Sequence, residues 1–182
     1  PEGITFTSET NYNTTENGGN NILLGTEISR NKEYKGTENI IMGFQALHKA
    51  NKQEHLFNTL IGNSICYNGI TGKRNTFLGY KIAYIYSHGD FNTLIGNSVC
   101  FRGLGTETTP SILNTLIGDQ VCFSGCYGEA NTLLGTDICA EKPMNSDYNT
   151  ILGFDAVRKG CNGSNNIVIG RASAYDGCRG SA

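Results

Sequence analysis

The sequence repeats one short phrase nine times: an Asn, three mostly apolar residues and a Gly. From one phrase Gly to the next, the spacings are 18, 19, 17, 17, 22, 17, 18 and 17 residues. A period in this range is typical of repeat proteins, in which each unit buries its apolar side chains by stacking on its neighbours. We therefore expect a stack of coils whose function lies on its outside. The phrases begin at Asn21, Asn39, Asn58, Asn75, Asn92, Asn114, Asn131, Asn149 and Asn166.

Within each phrase the residues alternate as they do in a β-strand, so positions one, three and five share one side and positions two and four the other. Position four is always Leu, Met or Ile, position two is Thr or Ile, and position three is apolar in all nine copies. Two apolar sides are typical of strands that are buried on both sides. The pattern predicts an all-β parallel solenoid of about nine coils, with residues 20–182 as the repeat domain and residues 1–19 as a cap or lead-in.

Each phrase Gly is followed, after two residues, by a second short apolar segment, such as residues 65–67 and 99–101. These segments predict a second strand that closes the coil. Four of the seven Cys stand four residues after a phrase Gly, where other coils carry Ala. Interchange of Cys with Ala indicates small buried side chains, and pairing within the column would need strained disulfides. These four are Cys66, Cys100, Cys122 and Cys139.

The second apolar side of the strands would be exposed in a single chain. Burial of one large apolar side chain contributes about 1.5–3 kcal/mol, and exposed apolar patches of this extent mark interfaces. We expect copies of the same chain to cover it, with position three as the candidate partner-facing column and positions two and four as the open alternative. The candidate column is Leu23, Ile41, Leu60, Phe77, Leu94, Leu116, Leu133, Ile151 and Val168.

The array resembles the YadA-like head domains of trimeric autotransporter adhesins. It is more similar still to the Asn-Thr-Ala-x-Gly-Tyr-x-Ala repeat of bacteriophage tail fibres and of surface proteins that end in an endosialidase-type chaperone, as in residues 43–47, 79–83 and 153–157. The resemblance implies a left-handed β-roll packed as a homotrimer. It also implies a non-enzymatic fibre or adhesin segment on a virion or a bacterial surface, with neighbouring fibre domains and a host glycan or protein receptor as partners. Position three is bulky here where those families have Ala, which implies a wider or differently packed axis.

Recognition is expected where the repeat is interrupted, because irregular loops on a rigid scaffold carry function. The longest spacing, between Gly96 and Gly118, inserts residues 101–111, and the coil before it carries an aromatic cluster at residues 84–88. Tyr with nearby polar and cationic side chains is typical of surfaces that bind sugars or protein epitopes. The candidate binding residues are Tyr84, Tyr86, His88, Phe101, Arg102, Thr106 and Glu107.

Two other solenoid functions remain as alternatives. Residues 61–66 and 134–139 are similar to the hexads of left-handed acyltransferases, but Tyr67 and Lys73 break the following hexads. The candidate catalytic histidines, His48, His55 and His88, lie in variable connections, where solvated side chains are expected. Ice-binding solenoids carry Thr columns, although a Thr beneath a coil edge is the simpler interpretation here. The Thr column is Thr59, Thr76, Thr93, Thr115, Thr132 and Thr150.

Composition limits the remaining classes. The formal net charge is −2 and no basic stripe exists, which argues against nucleic-acid binding. Apolar runs of four to six residues are far shorter than the roughly 20 needed to span a bilayer, so no membrane insertion is expected. Cys122 and Cys126 form a lone pair without the second pair of a zinc site. We predict no metal, no cofactor and no enzymatic activity.

Overall fold

The computed structural model describes residues 21–28, 36–49 and 56–180. These residues form an all-β parallel solenoid of about eight turns, without a helix. Each phrase contributes one strand to a nine-stranded parallel sheet, and a smaller sheet pairs Ile70–Thr71 with Ser87–His88. The predicted cap at residues 1–19 lies outside the described residues. The strands are β1 (Ile22–Thr26), β2 (Ile40–Phe44), β3 (Thr59–Asn63), β4 (Ile70–Thr71), β5 (Thr76–Tyr80), β6 (Ser87–His88), β7 (Thr93–Asn97), β8 (Thr115–Asp119), β9 (Thr132–Thr136), β10 (Thr150–Phe154) and β11 (Ile167–Ile169).

The strands of the large sheet are paired in register, so that Thr76 lies beside Thr93 and Gly79 beside Gly96. Every phrase position therefore forms a straight column along the solenoid. A second wall consists of the β4–β6 pair and of single-residue parallel bridges, such as Leu104 with Cys126. This second wall begins about eight residues after the phrase Gly and closes each coil.

Position three faces the interior of the solenoid, so its assignment to a partner surface is wrong. Positions one, three and five point inward together, because the Asn side chain of position one bonds to the turn inside the coil. Positions two and four face outward. The interior column is Leu23, Ile41, Leu60, Phe77, Leu94, Leu116, Leu133 and Ile151, all buried, with Val168 partly buried in the last strand.

The predicted second strand is also wrong, because the chain turns there. Ser98 and Cys100, two and four residues after the phrase Gly, have positive φ angles of 55° and 50°, and residues 98–102 form a bend and a turn. Two left-handed residues separated by one residue bend the backbone too sharply for a strand. The same alternation recurs at Ser64 and Cys66.

The predicted burial of the Cys column is confirmed, since all four thiols are fully buried. They are free, as is Cys126. A disulfide joins Cys161 to Cys178, which are 17 residues apart and occupy the same place in successive coils, with 4.6 Å between their Cα atoms. That pair was not predicted, although the spacing of one repeat was visible in the sequence.

The phrase Asn residues form a continuous hydrogen-bonded ladder inside the solenoid. In the middle coil, the backbone N–H and the side-chain Nδ2 of Asn92 both donate to Oδ1 of Asn75, at 2.9 and 3.1 Å. Nδ2 also donates to the Ser111 carbonyl at 2.8 Å. The next coil repeats the arrangement, because Asn114 donates from N and Nδ2 to Oδ1 of Asn92. Each Asn thus ties one turn to its neighbour, which explains why the residue recurs.

The phrase Gly is required by close stacking and by backbone conformation. Gly96 has a φ of 136°, a region that only Gly occupies readily. A Cβ atom at Gly96 would overlap the carbonyl oxygen of Gly118 in the next strand. The Gly column therefore lets adjacent coils approach closely at the end of each strand.

Candidate functional sites: an outward face and a groove

One side of the large sheet carries most of the exposed apolar side chains. We call it the outward face and define it by phrase positions two and four, the residue after the phrase Gly and the residue before the phrase Asn. Of the fifteen exposed large hydrophobic residues that the structure describes, all but Tyr86 and Tyr175 lie on it. The thirteen are Ile22, Ile40, Phe44, Phe57, Leu78, Tyr80, Phe91, Leu113, Leu134, Tyr148, Phe154, Ile167 and Ile169.

At one edge of this face, the residue before the phrase Asn adopts a strained conformation and is aromatic in three coils. Phe57, Phe91 and Tyr148 have φ angles of 58° each, in the left-handed region that costs a non-Gly residue roughly 1–2 kcal/mol. Ala130 and Asn165 hold the same conformation in other coils. The turn therefore does not require an aromatic residue, and the aromatic side chains serve the surface.

The two central columns of the outward face, positions two and four, contain no charged residue in any of the nine phrases. Charged residues occur only in the flanking columns. There the Arg74 guanidinium lies between two aromatic rings, 5.3 Å from that of Phe57 and 5.2 Å from that of Phe91. Nine strands at the usual strand spacing, and about seven residues across, give a face of about 38 Å by 20 Å. This footprint, on the order of 750 Å², includes the Thr residues of position two and the polar and charged residues of the flanking columns, so the apolar part of the face is smaller.

The Thr column belongs to this face, and its interpretation as residues tucked beneath a coil edge is wrong. Thr76 and Thr132 are exposed and the other four are half-buried. The reason is the strand alternation, which places position two on the same side as the outward Leu or Ile of position four.

The second site is a groove of about 360 Å³ at the interrupted coil. It brings together five of the candidate binding residues: Tyr86, His88, Arg102, Thr106 and Glu107. Asn68 and Tyr127 complete it from the coils on either side, together with the backbone of two Gly residues. Sequence reasoning missed Asn68 and Tyr127 because they belong to regular coils, and only stacking brings them to the insertion.

Tyr84 and Phe101 do not line this groove. They belong to a column of stacked rings five residues after the phrase Gly, where their centroids are 5.2 Å apart and their planes 2° from parallel. Successive ring contacts in the column lie at 4.8 to 5.2 Å. Such contacts stabilise neighbouring coils. The whole column is His48, Tyr67, Tyr84, Phe101 and Phe123.

Three other potentially reactive side chains, those of Cys66, Cys100 and His48, are buried. Burial raises the pKa of the Cys66 thiol well above its ordinary value, and burial does the same to Cys100. His48 was expected to be solvated, but its side chain is buried and stacks on Tyr67, with Nδ1 3.6 Å from the Glu27 carboxylate. His55 lies outside the described residues. Among residues 21–28, 36–49 and 56–180, no three or more His, Cys, Asp or Glu side chains are grouped to hold a metal ion.

The described part of the chain has no helix that is both long and apolar enough to cross a membrane. Comparison with protein-family models, with curated proteins and with solved structures found no match to the chain.

Proposed function

We propose that the chain is a non-enzymatic segment of a trimeric fibre or adhesin, a rigid rod that associates with two copies of itself and helps to attach a virion or a bacterium to a host surface. The observation that carries the proposal is the outward face. Its two central columns carry no charged residue, position four is Leu, Met or Ile in every coil, and the face runs the length of the nine-stranded sheet. Exposed apolar surfaces of this extent mark interaction sites.

The partners that cover the outward face are a second and a third copy of the chain. The estimated area of the face, on the order of 750 Å², is close to the 800 Å² or so that each partner buries in a standard protein interface. Its four columns repeat in register in every coil, so an identical rod aligned alongside offers a matching periodicity. The resemblance to trimeric heads and tail fibres implies that the number of copies is three. Neighbouring fibre domains would continue the rod.

Self-association through this face can be tested by placing charge at its centre. Leu78 in β5 and Leu134 in β9 are 45% and 40% exposed, so Lys at both positions costs the isolated rod little but puts two charges into the interface. A matched control is Asn145→Lys, at an exposed site outside the outward face. Sedimentation velocity should show a trimer for the wild-type chain and the control, and a monomer for Leu78→Lys with Leu134→Lys. A double variant that sediments like the wild type would contradict the proposal.

One observation favours a second function. The Thr column is outward, and successive coils present it at a regular spacing of about 4.8 Å, which suits binding to a crystalline surface such as ice. Only one column is Thr, and bulky rings such as Phe57 and Phe91 border the face. A monomeric chain that lowers the freezing point of water below the melting point of ice would support this alternative over the fibre.

A further inference from the structure

The groove at the interrupted coil has a fixed frame. At one end of the insertion, the Gly105 N–H donates to the Cys126 carbonyl at 2.7 Å. At the other end, the Ser111 N–H donates to the His88 carbonyl at 2.9 Å, and the Ser111 hydroxyl donates to the Cys126 carbonyl at 2.8 Å. The projecting loop is therefore clamped at both ends to the neighbouring coils.

The tip of the loop is also closed by its own hydrogen bonds. The Thr106 N–H donates to the Thr109 carbonyl at 2.9 Å, and the Thr109 N–H donates to the Thr106 hydroxyl oxygen at 3.0 Å. A rim held in this way loses little conformational entropy when a ligand binds. The groove is thus preorganised rather than formed by a ligand.

The polar groups of the groove are available to a ligand. Arg102 and Glu107 are exposed, and neither forms an ion pair within the part of the chain that the structure describes. His88 engages Thr71 through Nδ1, which fixes the imidazole and leaves Nε2 as its second polar atom. Asn68 adds an amide from the preceding coil. A guanidinium, a carboxylate, an imidazole and an amide together can donate to and accept from adjacent hydroxyl groups.

Two Tyr rings supply the apolar surface. Tyr86 is 52% exposed, the most of any aromatic side chain in the groove, and its ring centroid lies 6.0 Å from that of His88. Tyr127 is half-buried, and burial raises the pKa of its hydroxyl, which therefore stays a neutral donor. A ring with an apolar face and a polar tip is suited to a ligand that is apolar on one face and hydroxylated at its edge. A pyranose ring has this character.

The charge balance selects among ligands of that kind. Arg102 and Glu107 contribute opposite charges to the same groove, so an anionic ligand would meet the Glu107 carboxylate and a cationic one the Arg102 guanidinium. We infer that the groove is a binding site for a neutral saccharide, with its ring on Tyr86 and its hydroxyls bound by Arg102, Glu107 and Asn68. Its place in attachment rests on the proposed function, whereas the binding itself does not require a trimer.

Saturation-transfer difference NMR on the intact chain tests this inference. The probes are methyl glycosides of glucose, galactose, mannose and N-acetylglucosamine, maltotetraose, chitotetraose, and the acidic trisaccharide sialyllactose, each at millimolar concentration. We expect transfer to at least one neutral saccharide, and a loss of affinity of about tenfold or more in both Tyr86→Ala and Arg102→Ala. The matched control is Tyr175→Ala, since Tyr175 is exposed outside the groove, and it should bind as the wild-type chain does.

Each other outcome overturns the inference. No transfer to any neutral saccharide, or transfer that Tyr86→Ala leaves unchanged, would exclude a saccharide site in the groove. Binding of sialyllactose alone would assign an acidic ligand. Binding of peptides from a random library, sensitive to Tyr86→Ala and without saccharide binding, would assign a protein epitope. The mass of the assembly is measured separately, so a monomer that binds sugar would refute the trimer and leave the groove assignment standing.

Discussion

Removal of one internal Asn side chain should destabilise the solenoid far more than its size suggests. In Asn92→Ala, the backbone N–H of Asn114 loses Oδ1 of Asn92 as its acceptor, at 3.0 Å, and the carbonyl of Ser111 loses the Nδ2 donor at 2.8 Å. Both groups belong to buried residues, where water does not replace the lost partner. Oδ1 of Asn75 keeps a donor, because the backbone N–H of residue 92 remains.

The expected cost follows from these two groups. A buried polar group left without a partner costs about 1–3 kcal/mol, so Asn92→Ala should lower the free energy of unfolding by about 2–6 kcal/mol. That is a large part of the 5–15 kcal/mol or so by which domains are stable. The loss should be local at first, because coils in a repeat protein depend on their immediate neighbours.

The last Asn of the ladder provides a matched control. Asn166 donates to Asn149 and to the carbonyl of the exposed Gly180, but its own Oδ1 accepts from no group in the described residues. Asn166→Ala therefore leaves no buried N–H without an acceptor, and should cost about 1 kcal/mol or less.

Urea unfolding followed by circular dichroism measures both variants. The protomer concentration must be the same throughout, since association contributes to apparent stability, and unchanged slopes indicate that the midpoints can be compared. Equal midpoints for the two variants would refute the reasoning. Asn92→Ala would then cost no more stability than the same truncation at the end of the ladder, where no following Asn loses its acceptor.

Substitutions at individual positions of the solenoid should change its stability in three further ways. Gly96→Ala should cost about 3 kcal/mol or more, because of its φ of 136° and the overlap with the next strand. Gly180→Ala, with no atom near the added methyl, should be nearly neutral in urea unfolding. Ser87→Ala should raise stability by about 1 kcal/mol, since this buried hydroxyl has no partner among the described residues, whereas Ser111→Ala should lower it by a similar amount; equal midpoints would contradict the prediction. Burial raises the pKa of Cys66, so the stability that it contributes is present below the pKa of the unfolded thiol, which is about 8.5. That stability should fall as pH rises further, and Cys66→Ala should reduce this fall in urea midpoints between pH 7 and pH 10.

The sequence predicts the large sheet and its register because period and alternation are both explicit in the phrase. It leaves the orientation of the strands open, since both sides are apolar. The deciding feature is the Asn of position one, whose amide must reach turn carbonyls inside the coil, as Asn92 does with Ser111. Position three shares that side by strand alternation.

The turn after each phrase could not be predicted by the same reasoning. Residues 99–101 are apolar and aromatic, as in a strand, but Cys100 adopts a left-handed conformation that its residue type does not favour. Stacking of successive turns overrides the local preference. The groove was predicted in part because the insertion interrupts the period, whereas Tyr127 belongs to a regular coil and gives no such signal.

In the proposed assembly, copies of this chain cover the outward face. The test is the absolute mass of the wild-type chain, measured by light scattering on a sizing column with and without reductant. We predict a mass of three times 19.7 kDa in both conditions, because the Cys161–Cys178 disulfide lies within one chain and the free thiols are buried. A mass of 19.7 kDa at micromolar concentration would contradict the claim, because the apolar face would then be stable in water.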